Sequence, residues 1–375
     1  MPQRDERSFK KDTRTYLRFA ERYCPLSRPE LKLKARKMAQ APFPFLRGSF
    51  YRWPHHFAVV ADQVRLAPML PCVGDIHLEN FGTWRDAEGR LAWGVNDFDE
   101  AATLPFTSDL VRLAVSAALE VHRTPSFRLG AAECADTLLE GYVAHLKFGP
   151  DPFILEDRHG WLRDLATATG TDARAFWRKL LAQEPVVESD LPEEPRDRLR
   201  QALPEGVRNV RFFRRVAGLG SLGRPRFVAV GEWLGGLTAR EVKAAVPSAA
   251  YMHEEERRDP AADGRRLVAA ACRAPDPALA IDGDWVLRRL SPEARKVEIE
   301  EIEHAPDQRH LLHAMGRELA NVHLGSAGGA GPLRSFLETL PDHWLRHAAA
   351  LAADRVREDH DDLRRKLAKD EAQEG

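Results

Sequence analysis

Two short acidic segments carry the residue types that phosphate chemistry requires. The first segment is GDIHLEN at 74–80, and the second is NDFDE at 96–100. Transfer of a phosphoryl group to a hydroxyl needs a carboxylate that takes the hydroxyl proton. It also needs Mg²⁺, which is held by carboxylate and amide oxygens. Asp75 precedes Asn80 by five residues, a spacing at which one loop can present both side chains to the same point. Asp97 follows after the next predicted strand. The spacing predicts Asp75 as the base and Asn80 with Asp97 as metal ligands.

A polar turn is the alternative interpretation of the same residues. Asp and Asn side chains commonly hydrogen-bond the backbone of turns, which would explain the first segment without any chemistry. We expect His77 to brace the loop rather than react, and Asp99 to support the acidic cluster. Asp109, at the start of a predicted helix, is a further supporting residue, although the helix dipole alone favours an acidic side chain there.

A glycine-rich segment, GLGSLG at 218–223, has Gly218, Gly220 and Gly223 in the G-x-G-x-x-G spacing. A dinucleotide-binding fingerprint would continue into a helix, whereas the RFVAV that follows is typical of a strand. A glycine turn between two strands can close its backbone N–H groups over phosphates, with Ser221 beside them. We therefore predict that this segment binds the phosphates of a nucleotide.

Two basic residues are candidates for further phosphate contacts. Lys243, in EVKAAV, lies on the next predicted strand after the glycine segment, where a lysine can reach the same phosphates. Arg47, in FLRGS, offers a planar fork of donors that suits a phosphate. An exposed lysine on a β-hairpin and an arginine in a surface ion pair are the alternatives.

The acidic segments resemble the catalytic loop of aminoglycoside phosphotransferases and choline kinases. In those enzymes Gly-Asp-x-His-x-x-Asn is followed by an Asp-Phe or Asp-Trp pair, and then by an Asp-Leu that opens a helix. GDIHLEN, NDFDE and SDLVRL reproduce the three parts in this order. The resemblance implies a protein kinase-like fold, ATP and Mg²⁺ as cofactors, and a hydroxyl as the phosphate acceptor.

A wider set of motifs is similar to a bacterial family catalogued as domain of unknown function 2252. The motifs are FLRGS, GDIHLENFG, NDFDEA, GLGSLG, VKAA and MGRELANVHLGSA, and they extend over residues 40–327. This resemblance implies no particular activity, so the chemistry rests on the residues themselves.

The order of the motifs is inverted relative to kinases, in which the glycine loop and the lysine precede the catalytic loop. We therefore predict an α+β, bilobal protein kinase-like fold that is circularly permuted, with a small antiparallel β lobe and a larger, mainly helical lobe. The predicted parts are a basic helical segment at 1–40, a catalytic-loop and helical lobe at 41–204, a glycine-loop nucleotide lobe at 205–300, and helices at 301–375 that complete the helical lobe.

One departure from the kinase pattern concerns the lysine, which in kinases pairs with a Glu on the next helix. The predicted helix DGRRLVAAACR contains no Glu. Glu254, Glu255 and Glu256 come just before it and could substitute, so an atypical or inactive kinase stays open.

Residue patterns also predict the surrounding elements. The prolines in APFPFLRGSFYRW favour an extended or turning segment, and FAVVA and APMLPCV are predicted as short strands. Thr107 or Ser108 is expected to cap the helix DLVRLAVSAALEVH. RHLLHAMGRELANVHLG is predicted as an amphipathic helix with Leu311 and Met315 on its apolar side, and Trp161 and Trp177 as core residues.

Composition limits the classes of protein. The 375 residues carry a net charge of -1, which indicates neither nucleic acid nor membrane as a partner. The first forty residues hold 12 Lys and Arg against 5 Asp and Glu, which is typical of a solvated basic helix. Four widely separated cysteines form no zinc or disulfide pattern, and no segment is apolar enough for a membrane span or a signal peptide. We expect a soluble, cytoplasmic protein.

The leading hypothesis is an ATP- and Mg²⁺-dependent phosphotransferase that acts on a hydroxyl of a small molecule or protein. A metallophosphoesterase is disfavoured because the Gly-Asn-His block of that class does not occur in the sequence. A nucleotide-binding pseudokinase with a regulatory role is one alternative. Transfer of AMP from a nucleotide that lies reversed in the same cleft is another.

Overall fold

The structure, a computed structural model, describes residues 9–156, 158–168, 172–297 and 299–374. The first eight residues of the predicted basic segment therefore lie outside the described part. The described chain is mixed α+β, as predicted. Within it, no helix combines the length and the apolar composition that crossing a membrane requires.

The helices are distributed along the whole chain. They are α1 (Phe9–Glu21), α2 (Arg28–Met38), α3 (Pro42–Gly48), α4 (Trp53–Phe57), α5 (Asp62–Arg65), α6 (Phe106–Val121), α7 (Ala131–Phe148), α8 (Gly160–Ala168), α9 (Ala173–Leu181), α10 (Glu193–Ala202), α11 (Ala262–Ala270), α12 (Ala305–Leu324), α13 (Gly331–Leu337) and α14 (Trp344–Glu374).

Within the described residues, the strands form three antiparallel sheets. They are β1 (Met69–Cys72), β2 (Phe81–Arg85), β3 (Leu91–Val95), β4 (Ala102–Pro105), β5 (Phe153–Ile154), β6 (Glu184–Val186), β7 (Arg208–Arg214), β8 (Arg226–Trp233), β9 (Gly236–Ala244), β10 (Ala280–Asp282) and β11 (Trp285–Leu290). The largest sheet has the order β10-β11-β9-β8-β7-β6, and the others are β2-β3-β5 and β1-β4. The large sheet therefore comes mainly from the later half of the chain, and the small sheets come from the earlier half.

Helices α6, α7, α12 and α14 pack together as the helical core. The α7–α12 contact is close because glycines meet backbone there. A Cβ at Gly141 would lie 2.1 Å from the His313 carbonyl oxygen, and one at Gly316 would lie 2.0 Å from that of Leu138. Leu311 and Met315 are fully buried, as the amphipathic pattern predicts. This packing supports β1 and β3, which α12 also contacts.

Residues 42–57 are helical rather than extended, so that prediction is wrong. Pro42 and Pro44 occupy the first turn of α3, where a backbone N–H has no helical partner and a proline costs little. FAVVA is not a strand either. Phe57, Val60 and Val64 are buried at spacings of three and four residues, which is the period of a helical turn.

The capping prediction for α6 is also wrong, because the helix begins at Phe106 and Pro105 stands at its N-cap. Thr107 lies inside the first turn, and its hydroxyl donates to the Val64 carbonyl oxygen at 2.7 Å. Trp161 and Trp177 are half-buried residues that pack against apolar clusters.

The basic N-terminal segment packs into the protein instead of standing solvated. Phe9, Tyr16 and Met38 are buried in the core. Asp12 is fully buried, and it pairs with Arg52 at 2.5 Å. Most lysines and arginines of α1 and α2 are therefore on the exposed side of these helices, while the other side, with Lys34, is part of the core.

We predict that Glu318 makes stability fall as pH rises. Burial raises the pKa of this carboxyl from 4.5 to about 7, although the Val95 N–H and the Asn321 amide donate to it. The native state therefore holds this proton more tightly than the unfolded chain, and stability is lost between about pH 5 and pH 8, by on the order of 2 kcal/mol. Urea unfolding at pH 5.5, 7 and 8.5 measures the slope.

Glu318→Gln should flatten that slope, because the amide does not titrate. Part of the slope should stay, since burial also raises the pKa of Glu100 to about 7. Glu338→Gln, on an exposed side chain, is the matched control and should leave the slope unchanged. Equal slopes in wild type and Glu318→Gln would contradict the prediction.

Candidate active site

The GDIHLEN loop is held by the first turns of α6. Both Asp109 carboxylate oxygens accept backbone N–H groups, from Val73 at 2.7 Å and from Gly74 at 3.0 Å. The Ser116 hydroxyl accepts the Leu78 N–H at 3.1 Å. Asp109 thus does more than complement a helix dipole, because it fixes the direction in which the loop leaves β1.

Asn80 ties the two acidic segments to each other. Its side-chain amide donates to the carbonyl oxygens of Asp75 at 3.2 Å and Asp97 at 3.0 Å. Its Oδ1 accepts the Asp97 N–H at 2.9 Å. The two segments therefore form one rigid unit, and Asn80 Oδ1 keeps one of its two acceptor positions for another partner.

His77 lies inside the loop as a neutral ring. Its Nδ1 accepts the Glu79 N–H at 3.2 Å. Burial, together with the positive charge of Arg47, holds the pKa of His77 well below its usual value. The side chain of Arg47 donates to Glu79 at 2.8 Å, and Lys296 lies 3.4 Å from the same carboxylate. Both basic residues line the cleft over the loop.

Asp75 pairs with Arg112, a residue that no sequence motif singles out. Arg112 Nη2 donates to Asp75 Oδ1 and to the Leu46 carbonyl oxygen at 2.9 Å. The guanidinium is fully buried between the Phe50 and Trp53 rings, at 5.0 and 4.9 Å from their centres. Burial raises the pKa of Asp75, and Arg112 opposes this. Asp75 Oδ2 is the oxygen that faces the cleft.

The glycine segment lies directly over Asp75. A Cβ at Gly220 would stand 3.5 Å from Asp75 Oδ2. The turn joins β7 to β8, and Gly218 and Gly223 have φ values of 75° and 100°, which glycine adopts readily. Ser221 turns its hydroxyl toward Arg226, which donates to it at 2.6 Å.

Two residues of α2 hold the glycine segment in this position. Lys34 Nζ donates to the Gly220 carbonyl oxygen at 2.5 Å, and Glu30 accepts the Gly223 N–H at 3.2 Å. Lys34 is buried, and burial lowers its pKa to about 8. Neither residue could be predicted from local motifs, because their partners are almost two hundred residues away in the sequence.

Lys243 joins the large sheet to the second acidic segment. Its amine lies 2.5 Å from Asp99 Oδ2 and 3.4 Å from Asp97 Oδ1. Burial raises the pKa of Asp97, but Lys243 and Arg288 outweigh it and hold that pKa below the usual value. Asp97 is therefore ionised, and half of its side chain is exposed in the cleft.

The proposed substitutes for a kinase glutamate do not reach this lysine. Glu254, the first of them, is exposed and pairs with Arg258, while Glu255 and Glu256 are exposed as well. The difference arises because the segment before α11 folds toward the N-terminal helix, where Arg22 donates to its carbonyl oxygens.

Most of the predicted site residues thus meet in one cleft of about 230 Å³. Lys243 instead lines an adjoining cavity, together with Asp97 and Asp99. Members of both acidic segments and of the glycine segment line the cleft, together with several basic residues. They are Arg47, Asp75, His77, Asn80, Asp97, Asp99, Gly218, Gly220, Ser221, Arg215, Arg224, Arg226, Arg288 and Lys296. Gly223 stands at the end of the turn against α2, and Asp109 stands behind the loop.

A second group with metal-ligand atoms lies behind the loop. Cys72, Asp109 and His323 offer atoms within 4.8 Å of one another, and all three are buried. Their atoms already have partners, because Asp109 accepts two N–H groups and His323 bonds both Asp109 and Tyr142. We interpret this group as a brace for the loop.

We predict that Asp109→Ala costs about 2–4 kcal/mol of unfolding free energy, because it leaves two buried N–H groups unsatisfied. Asp109→Asn should cost less, since its amide oxygen replaces one acceptor. Urea denaturation measures both. Asp307→Ala, in the first turn of α12, reports the dipole contribution alone and should change stability by under about 1 kcal/mol. An equal loss in Asp109→Ala and Asp307→Ala would contradict a bracing role.

Comparison with known proteins places the chain in a family. The model of an uncharacterized protein family conserved in bacteria, domain of unknown function 2252, matches residues 28–184 and 182–366. No curated protein and no solved structure gives a significant match. Because the two matched segments cover most of the 375 residues, the chain belongs to the domain of unknown function 2252 family.

Proposed function

We propose that the protein is an ATP- and Mg²⁺-dependent transferase of the kinase type that acts on a hydroxyl. One observation carries the proposal. Lys243 lies against Asp97, and the glycine segment lies over Asp75, although both follow the acidic segments by more than a hundred residues. Transfer from a nucleotide needs these groups together, because phosphate charge is stabilised by donors and a metal at the same point.

A circularly permuted kinase-like fold agrees with this arrangement and is part of the proposal. The large antiparallel sheet would be the nucleotide lobe, and α6, α7, α12 and α14 would form the helical lobe. Helix α12 runs past β3 of the small sheet toward the proposed catalytic loop, because Glu318 accepts the Val95 N–H and His323 contacts Asp109. The C-terminal end of α12 therefore lies close to the start of the GDIHLEN loop, although the loop precedes the helix in the sequence.

The residues present fit Mg²⁺. Asp97 offers an ionised, half-exposed carboxylate, and Asn80 Oδ1 keeps an acceptor position next to it. Mg²⁺ accepts one or two protein oxygens and takes the rest from water and phosphate. When bound, the ion would neutralise phosphate charge. Lys243 would hold Asp97 and Asp99 in place and supply a further positive charge.

Asp75 is suited to hold the acceptor. Arg112 occupies Oδ1, which leaves Oδ2 to accept the hydroxyl proton. Gly220 lies against Oδ2, so the glycine segment must move before an acceptor enters. Lys34, which holds the Gly220 carbonyl oxygen, would release it in this step.

The four cysteines are free, which agrees with the proposed location in the reducing cytoplasm.

Transfer of the nucleotidyl group is the second candidate function. It would use the same acceptor and the same acidic residues. It differs from phosphate transfer in which end of the nucleotide enters the cleft first. Its supporting observation is that Arg215, Arg226 and Arg288 line the cleft, because their donors would hold pyrophosphate as it leaves.

We predict that Mg²⁺-ATP binds and raises the melting temperature. At a ligand concentration of 100 Kd the stabilisation is about 2.7 kcal/mol. Differential scanning fluorimetry with Mg²⁺-ATP, and with ATP plus a chelator, measures the shift and its metal dependence. Asp97→Asn should reduce the shift, while Asp62→Asn, on an exposed side chain, should preserve it. A folded wild-type sample that shows no shift at millimolar Mg²⁺-ATP would refute nucleotide binding.

Asp75→Asn should abolish turnover and keep nucleotide affinity, because the base contacts the acceptor rather than the phosphates. The amide still accepts from Arg112, so the fold should be retained. Product formation with α- and γ-labelled ATP measures turnover against a metabolite mixture, and titration calorimetry measures affinity. Retention of wild-type turnover would rule out Asp75 as the base.

A further inference from the structure

Lys34 on α2 is a buried cation without a carboxylate partner. The residue is only 7% exposed, and its ammonium donates to the Gly220 carbonyl oxygen. Among the described residues, no carboxylate lies within ion-pair distance of this ammonium. Glu30 stands one turn earlier, at a spacing at which glutamate and lysine often pair on a helix. Its two oxygens are instead occupied by Arg214 and by the Gly223 N–H.

The hydrogen bond to Gly220 does not by itself explain the charge of Lys34. The amide of a glutamine could donate to the same carbonyl oxygen without burying a charge, and a buried charge without a counterion costs stability. Burial lowers the pKa of Lys34 to about 8, so the side chain is still mostly protonated at pH 7. The charge therefore indicates an anion that is not part of the chain.

Arg224, at the end of the glycine turn, is a second buried cation, and it lines the cleft. Its Nη2 donates to the Tyr16 hydroxyl at 2.9 Å and to Glu100 at 3.4 Å. Its Nη1 is buried and has no hydrogen-bond acceptor within the described part of the chain, and the Asp99 carboxylate lies 3.6 Å from it. Arg224 thus keeps a donor for a further acceptor.

Tyr16 holds the two cations beside each other. Lys34 Nζ lies 5.6 Å from the centre of its ring, and Arg224 donates to its hydroxyl. The ring is buried and stacks on Tyr51 at 4.8 Å, so its position is fixed. Burial is the main reason for the low pKa of Lys34, and the charge of Arg224 lowers that pKa further. An anion next to both groups would remove this repulsion.

Gly220 separates the Lys34 ammonium from Asp75. Its carbonyl oxygen accepts from Lys34, while a Cβ on its other side would stand 3.5 Å from Asp75 Oδ2. In the proposed function the glycine segment moves before an acceptor reaches Asp75. That movement takes the carbonyl oxygen away from the ammonium and opens Lys34 to the cleft. A negatively charged oxygen of a ligand can then accept in place of the carbonyl, in a charge-assisted bond that is stronger.

We propose that Lys34 and Arg224 form an oxyanion subsite behind the glycine segment, in which a phosphate or carboxylate oxygen of the ligand replaces the Gly220 carbonyl oxygen. This inference rests on the proposed function for the movement of the glycine segment. The oxyanion can belong to the nucleotide or to the acceptor. In the second case the acceptor is a negatively charged hydroxyl compound, such as a phosphorylated alcohol or a hydroxy acid.

Tungstate locates the subsite in the wild-type protein, because it is a tetrahedral oxyanion and tungsten scatters X-rays anomalously. Crystals of the full-length protein grown with tungstate should show anomalous density within hydrogen-bond distance of Lys34 Nζ and Arg224. The Gly220 carbonyl oxygen should have left Lys34. Tungstate at other residues of the cleft, or no bound tungstate, with Lys34 still bonded to Gly220, would overturn the proposal.

Sulfate affinity in variants tests the role of the charge. Lys34→Gln keeps a donor for Gly220 and removes the charge, so it should fold and bind sulfate at least about tenfold more weakly in titration calorimetry. Lys37→Gln, on the exposed side of the same helix, is the matched control and should bind sulfate like the wild type. Equal sulfate affinity in the wild type and in folded Lys34→Gln would overturn the proposal. If Lys34→Gln does not fold, the tungstate position decides.

A non-hydrolysable ATP analogue with Mg²⁺ distinguishes the two sources of the oxyanion. If the saturating analogue prevents sulfate binding, and Lys34→Gln weakens binding of the analogue, the nucleotide supplies the oxyanion. If sulfate still binds, the acceptor supplies it, and glycerol phosphate should then displace sulfate while glycerol should not. Either result supports the subsite. Sulfate binding that depends on Lys34, in a protein that does not bind the analogue, would refute the proposed function and leave the subsite in place.

Discussion

The contact of Lys243 with Asp97 and Asp99 is the interaction on which the cleft depends. It joins β9 of the large sheet to the turn after β3, and these two elements belong to different halves of the chain. The lysine is almost fully buried, so removing both carboxylates would leave its charge without compensation, which costs more than the ion pairs themselves contribute. The position of the large sheet relative to the two acidic segments is therefore fixed by charge as well as by apolar packing.

Much of the site could be predicted from the sequence because its motifs are local. The five-residue spacing of Asp75 and Asn80 and the glycine turn are properties of short segments, and both segments line one cleft. Arg112, Lys34 and Glu241 could not be predicted in the same way. Each is a buried charge whose partners are distant or lie on other elements, and local sequence does not determine tertiary contacts.

Secondary structure was predicted correctly where the hydrophobic pattern extends over many residues, and wrongly where the pattern is short. Helix α12 and the strands β7, β8 and β9 follow their patterns over many residues. Residues 42–57 break into three short helical pieces, and a proline in a first turn resembles a proline in an extended segment. The prediction that the basic N-terminal segment is solvated was wrong for another reason. Composition gives the average over all residues of α1 and α2. Packing into the core depends instead on the one side of these helices that carries Tyr16 and Lys34.

Glu241 and three arginines form the charged floor of the cleft. Arg215, Arg226 and Arg288 pair with this one carboxylate, and all three arginines line the cleft. A buried ion pair is a weak source of stability, and an apolar set of similar volume would serve the fold equally well. The arginines also face other acidic groups, because Asp97 and Asp99 line the same cleft and interact with Arg288. The motifs above the cleft could be predicted from the sequence, whereas the floor depends on the register of β8, β9 and β11, which places Arg226 opposite Lys243 and Arg288 opposite Glu241. Local sequence does not determine that register.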